Sequence, residues 1–137
     1  VYRTKKGRPV YGGGGIIPDS LVLHDYDFSV PFQNAFFASG QLFEQVFQYV
    51  DANRKTLKQQ YPNIQRFQSG FQIPESLMNT LYAAAGMKRS DYPAKDHQTA
   101  MVFVKANIAR ELYGTEAYYR IITTTDNMVE KALRYFR

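Results

Sequence analysis

A mainly α-helical chain, with about four to five helices behind a short N-terminal β-hairpin, is the fold class this sequence predicts. Three observations carry the expectation. Glycine, proline and β-branched residues dominate up to about Val22, whereas after Phe28 the composition turns to Phe, Tyr, Gln, Leu and Ala. In that second part apolar residues recur at the spacings of a helix with one buried face. Proline and glycine punctuate it at Pro62, Pro74, Gly86, Pro93 and Gly114, where helices begin and end. The chain therefore divides into residues 1–27 and residues 28–137.

The first part holds two strand-like pieces, Val1 to Thr4 and Pro9 to Tyr11, around a turn at Lys5-Lys6-Gly7. The run Gly12 to Gly15 and a Pro18-Asp19 corner follow. From Asp25 to Pro31 an extended connector is expected, because a proline biases the residue before it, here Val30, away from helix.

The helices come next. Ser39 is a candidate N-cap, and Phe43, Val46, Phe47, Val50 and Leu57 then form one apolar stripe that Pro62 terminates. Pro74 and Glu75 suit the first turn of another helix, with Leu77, Met78, Leu81, Tyr82 and Ala85 on one face and Gly86 as a left-handed stop. Pro93 opens a third, in which Met101, Val104, Ile108 and Leu112 keep the rhythm until Gly114. Thr115 caps a short segment holding Tyr118, Ile121 and Ile122. Asp126 or Asn127 caps the last helix, whose Val129, Ala132, Leu133 and Phe136 fall on one side. Helices with one greasy face each must pack together or against a neighbouring domain.

With 137 residues, 45% of them hydrophobic, the chain has enough apolar side chains for a core and is not a disordered tail. It opens at Val1, inside a strand-like pattern, and reads as a piece of a longer protein. No apolar run approaches the roughly 18–20 residues of a membrane span. Without cysteine there is no disulfide, thiolate metal site or cysteine nucleophile. The net charge of +5 is spread along the helices without a long block, which describes a mildly basic solvated surface.

No residue stands out as catalytic, cofactor-binding or metal-ligating. A phosphate loop requires Gly-Lys-Ser/Thr leading into a helix, but Gly15 runs into Ile16-Ile17-Pro18. His24 and His97 each lack a partner at metal-ligand spacing, so His24 is assigned to the connector and His97 to the surface of its helix. Glu75, Asp96, Glu111 and Glu116 sit at helix starts or on polar faces, where the helix dipole or an ion pair accounts for them. None of the six serines lies in a nucleophile elbow. Only Tyr118-Tyr119-Arg120 and Arg134-Tyr135-Phe136-Arg137 interleave aromatics with cations, too little for a stacking groove, so nucleic acid is not an expected partner.

Two stretches carry a resemblance. T-K-K-G-R-P-V-Y-G-G-G-G-I-I-P-D, from Thr4 to Asp19, resembles the last hairpin of the protease domain in the S41 family of carboxyl-terminal processing serine peptidases. A-N-I-A-R-E-L-Y-G-T-E-A-Y-Y-R-I-I-T-T-T-D-N-M-V-E-K-A-L, from Ala106 to Leu133, is similar to the helical C-terminal extension of many bacterial members. The resemblance implies a parent endopeptidase that cleaves substrate proteins near their C-termini with a serine activated by a lysine, in the periplasm or cell envelope. In that family both catalytic positions precede the hairpin, so this chain is expected to be the non-catalytic C-terminal portion, inactive alone. Its implied partners are the rest of the protease domain, a second copy or a protein adaptor. A stand-alone helical interaction module without a protease parent is the competing reading.

Overall fold

The structure is a computed structural model that describes residues 2–3, 5–7, 9–10, 28–38 and 40–135. The expectations for Gly12 to Gly15, the Pro18-Asp19 corner, His24, most of the connector, the Ser39 cap and Phe136 lie outside these residues. At the N-terminus β1 (Tyr2–Arg3) and β2 (Pro9–Val10) pair antiparallel, Tyr2 opposite Val10 and Arg3 opposite Pro9. Gly7 closes the intervening turn at φ 79°, a conformation that costs residues with a Cβ.

The rest is helical: α1 (Val30–Ala38), α2 (Gln41–Gln60), α3 (Ile64–Gly70), α4 (Glu75–Ala84), α5 (Ala94–Tyr113), α6 (Thr115–Ile122) and α7 (Asn127–Tyr135). Short 3-10 turns at Arg89–Asp91 and Thr123–Thr125 precede α5 and α7. The described residues thus form seven α-helices where periodicity argued for four or five. The additions are α1 and α3. Pro31 does not hold the chain extended as expected, because it stands in the first turn of α1, where a missing N–H costs nothing. After Pro62, Asn63 caps α3 by accepting from the backbone N–H of Arg66 at 3.0 Å.

At the centre lies α5, packed most extensively on α6 and α2 and also touching α3, while α2 in turn holds α1 and α4. Val104, Ile108 and Leu112 are buried as their spacing predicts, but Met101 is exposed. Leu77, Met78, Leu81 and Tyr82 of α4 are buried, and Gly86 ends that turn at φ 66°. In α2 Val46, Val50 and Leu57 face inward as their spacing predicts, joined by Leu42, whereas Phe43 and Phe47 are 48% and 52% exposed. Gly40, at φ 65°, takes the N-cap position of α2. Gly114 caps both the end of α5 and the start of α6, so Thr115 is the first helical residue rather than the cap. Asp126 does cap α7, its Oδ1 accepting from the N–H groups of Met128 at 2.8 Å and Val129 at 3.3 Å. No described residue of α7 is buried.

Candidate functional site

Polar groups cluster where α5 begins. Asp96 lies in the first turn, only 3% exposed, and its Oδ1 accepts from the Ser29 N–H at 2.8 Å while Oδ2 accepts from the Ser29 hydroxyl at 2.6 Å. The helix-start position is as expected, but the carboxylate is buried against Ser29 rather than held by the helix dipole or an ion pair alone. The carboxylate ties the start of α1 to the start of α5, and charge-assisted bonds of this kind are the stronger ones.

His97 is likewise buried rather than on the surface, 6% exposed. Its Nε2 lies 2.8 Å from the Arg89 carbonyl, which only accepts, so Nε2 carries the proton. In the neutral ring Nδ1 is then the acceptor for the Tyr82 hydroxyl at 2.7 Å. Burial raises the Tyr82 pKa, opposed by the Arg89 charge. The pair borders a cavity of about 260 Å³ that Met78, Met101 and Ile73 line with apolar surface and Glu75 and Arg89 flank. Those two side chains form an exposed ion pair at 3.8 Å. His97 stands three residues before Ala100 and seven before Val104, both fully buried, so its place on the inward face follows the helical spacing.

Cations from one helix close the carboxyl ends of others. The Lys105 ammonium donates to the carbonyls of Gln68 at 2.9 Å and Phe71 at 2.7 Å, at the end of α3. Burial lowers its pKa, as a lysine base requires, but its nitrogen is committed to two carbonyls. Arg54 of α2 donates to the Glu111 carbonyl at 2.9 Å near the end of α5, and the Tyr113 hydroxyl donates to the Tyr61 carbonyl. Both cations complement a helix dipole.

An aromatic system runs from the core to the surface. Phe28, Phe32 and Phe36 stack in the interior, and Phe37 and Phe28 meet Phe103 edge-on at 5.2 and 6.3 Å. Phe103 continues outward to Phe43 and to Tyr118, each at 6.4 Å, and Tyr118 meets Tyr119 at 5.3 Å. Arg110 stands over two of these rings, its guanidinium carbon 6.0 Å from the Phe43 centroid and 5.9 Å from that of Tyr118. Burial raises the Tyr118 pKa against the Arg110 charge. Spacing puts Phe43 on the buried stripe of α2 rather than on an exposed aromatic face, and Arg110 does not stand out because the seven-residue step from Phe103 joins an apolar residue to a charged one. The Tyr118-Tyr119-Arg120 cluster resolves into a half-buried Tyr118, an exposed Tyr119 and an Arg120 whose Nε donates to Gln68 at 3.1 Å.

Among the described residues no group of three or more His, Cys, Asp or Glu could hold a metal ion, and no helix is long and apolar enough to cross a membrane. The chain belongs to the DUF8443 family, a family of unknown function, whose profile matches residues 32–114, from α1 to the end of α5. No curated protein and no solved structure matches it.

Proposed function

We propose that this chain is the non-catalytic C-terminal region of a carboxyl-terminal processing serine endopeptidase of the S41 type, serving as a structural or docking module. The observation that carries the proposal is the pair of motif-bearing stretches, Thr4 to Asp19 and Ala106 to Leu133, in the order and separation that S41 extensions have. In this reading the Tyr2–Val10 hairpin is the remnant of the protease-domain sheet, residues 28–137 form the helical extension, and the protein acts outside the cytoplasm. Exposed Phe43, Phe47, Tyr119, Leu133 and Tyr135 support a module that rests on another polypeptide. The test is the coding sequence upstream of Val1 together with peptidase assays. A serine and a lysine in S41 context upstream, and no cleavage of casein or a C-terminally tagged peptide by the isolated chain, are the expected results. Serine-dependent turnover by the chain itself, or an upstream sequence without that dyad, overturns the proposal.

The family match favours a second reading, since it covers residues 32–114 and neither motif-bearing end in full. In that reading the helical part is an interaction module without a protease parent. Recurrence of the 32–114 domain beside unrelated neighbours is the result that selects it.

A further inference from the structure

Of the surface formed by Phe43, Phe103, Arg110, Tyr118 and Tyr119, Phe103 and Tyr118 pack against the core, whereas Phe43 and Tyr119 stand outside it. Phe43 and Tyr119 are about half exposed, although each ring joins a contiguous chain of edge contacts back to Phe103. Arg110 is set between Phe43 and Tyr118 within reach of both rings, and with its side chain 42% exposed the guanidinium stays open to a ligand. Its ion pair with Glu111 runs through Nε at 3.7 Å, too long for a good hydrogen bond. Among the described residues its two terminal nitrogens have no hydrogen-bond acceptor.

From this geometry we infer that the face is a docking surface for an acidic, apolar-flanked segment of another polypeptide, with Arg110 reading a carboxylate and the surrounding rings taking its aliphatic or aromatic neighbours. A planar guanidinium with free terminal nitrogens matches the two oxygens of a carboxylate, and a ring of partly exposed aromatics excludes water from that pair. Aromatic residues and arginine are the types enriched at the centres of protein interfaces. The net charge of +5 favours an acidic partner over a basic one. A second copy of this face is kept as an outcome of the test, since a two-fold axis can set Arg110 of one copy against Glu111 of the other. The inference rests on the docking role proposed above and is independent of protease parentage.

The experiment is fluorescence anisotropy of two labelled peptide pools titrated with the folded chain. One pool carries Asp and Glu among Leu, Ile and Phe, and the matched pool carries Asn and Gln in place of the acids. The acidic pool should bind, more weakly as salt rises, and Arg110→Gln and Phe43→Ala should each weaken binding at least about tenfold with an unchanged circular dichroism spectrum. Should either variant misfold, Tyr119→Ser, at an exposed edge position, provides the deciding comparison and should also weaken binding. Equal binding of both pools, no binding of the acidic pool, or indifference to these substitutions overturns the inference. So does concentration-dependent dimerisation that Phe43→Ala abolishes, or a single-stranded oligonucleotide that competes for Arg110. A chain that fails the peptide test yet still associates with the domain encoded upstream overturns this inference alone and leaves the parentage reading standing.

Discussion

Ser29 gives both its backbone N–H and its hydroxyl to the two oxygens of Asp96, a residue 67 positions away in the chain. One carboxylate thereby fixes where α1 starts relative to α5. Asp96→Ala leaves two donors beside an apolar interior and should lower stability by about 2–3 kcal/mol, read from urea or thermal unfolding. Asp96→Asn keeps an acceptor for the N–H and a donor for the hydroxyl, and should cost only about 1 kcal/mol. Equal losses for the two variants would contradict the paired geometry.

The register of α2 is open to a direct comparison. Val46→Ala and Val50→Ala remove fully buried methyl groups and should each cost about 1.5–3 kcal/mol. Phe43→Ser and Phe47→Ser, at half-exposed positions, should stay within about 1 kcal/mol of the parent. Comparable losses for the two valines and the two phenylalanines would return Phe43 and Phe47 to the buried stripe that spacing assigns them alongside Val46 and Val50.

Asn107 of α5 is buried, and its Oδ1 has no hydrogen-bond partner among the described residues. Its Nδ2 donates to the Phe103 carbonyl at 2.8 Å, an oxygen one helical turn back that the backbone ladder also serves. Replacing the amide by an apolar group of similar shape therefore removes an orphan acceptor without creating another. Asn107→Leu should raise stability by about 1 kcal/mol, seen as a higher midpoint in denaturant. A lower midpoint would mean the amide has a partner.

Alkaline pH should weaken the fold. Burial raises the pKa of Tyr49, Tyr82, Tyr113 and Tyr118 above the ordinary 10.0. These hydroxyls keep their protons longer folded than unfolded, so their contribution is complete below pH 10.0 and is lost as pH climbs through the folded values. Lys105 works oppositely: burial lowers its pKa from 10.5, so its penalty is present at neutral pH and relaxes as the pH rises. Four tyrosines outweigh one lysine. Denaturant midpoints should fall above pH 10.0, and in absorbance titration part of the 11 tyrosines should ionise late. Simultaneous ionisation of all of them would refute the burial.

Much of the helical framework was legible because its signals are local. Pro74, Gly86, Pro93, Gly114 and Asp126 mark boundaries through backbone preferences that need no tertiary partner. Leu77, Leu81, Val104 and Ile108 declare their faces by spacing. Hidden features depend on residues far apart in the chain. The role of Asp96 requires Ser29, that of Lys105 requires the end of α3, and the environment of Arg110 requires rings from α2 and α6. In α2 the stripe assignment holds for Val46, Val50 and Leu57 but fails for Phe43 and Phe47, which sit one position away from Leu42 and Val46, because hydrophobicity ranks the rings no lower than the aliphatics. The slot between α2 and α5 accepts the aliphatics, and the rings are left at its rim.

The central position of α5 has a consequence for motion. Because α2, α3 and α6 all rest on it, and Asp96 ties α1 to its first turn, no large part of the helical domain can open while its neighbours stay closed. Backbone amides of α5 should accordingly exchange with deuterium only through global unfolding, while those of α7, which buries no described side chain, exchange through cheap local fraying.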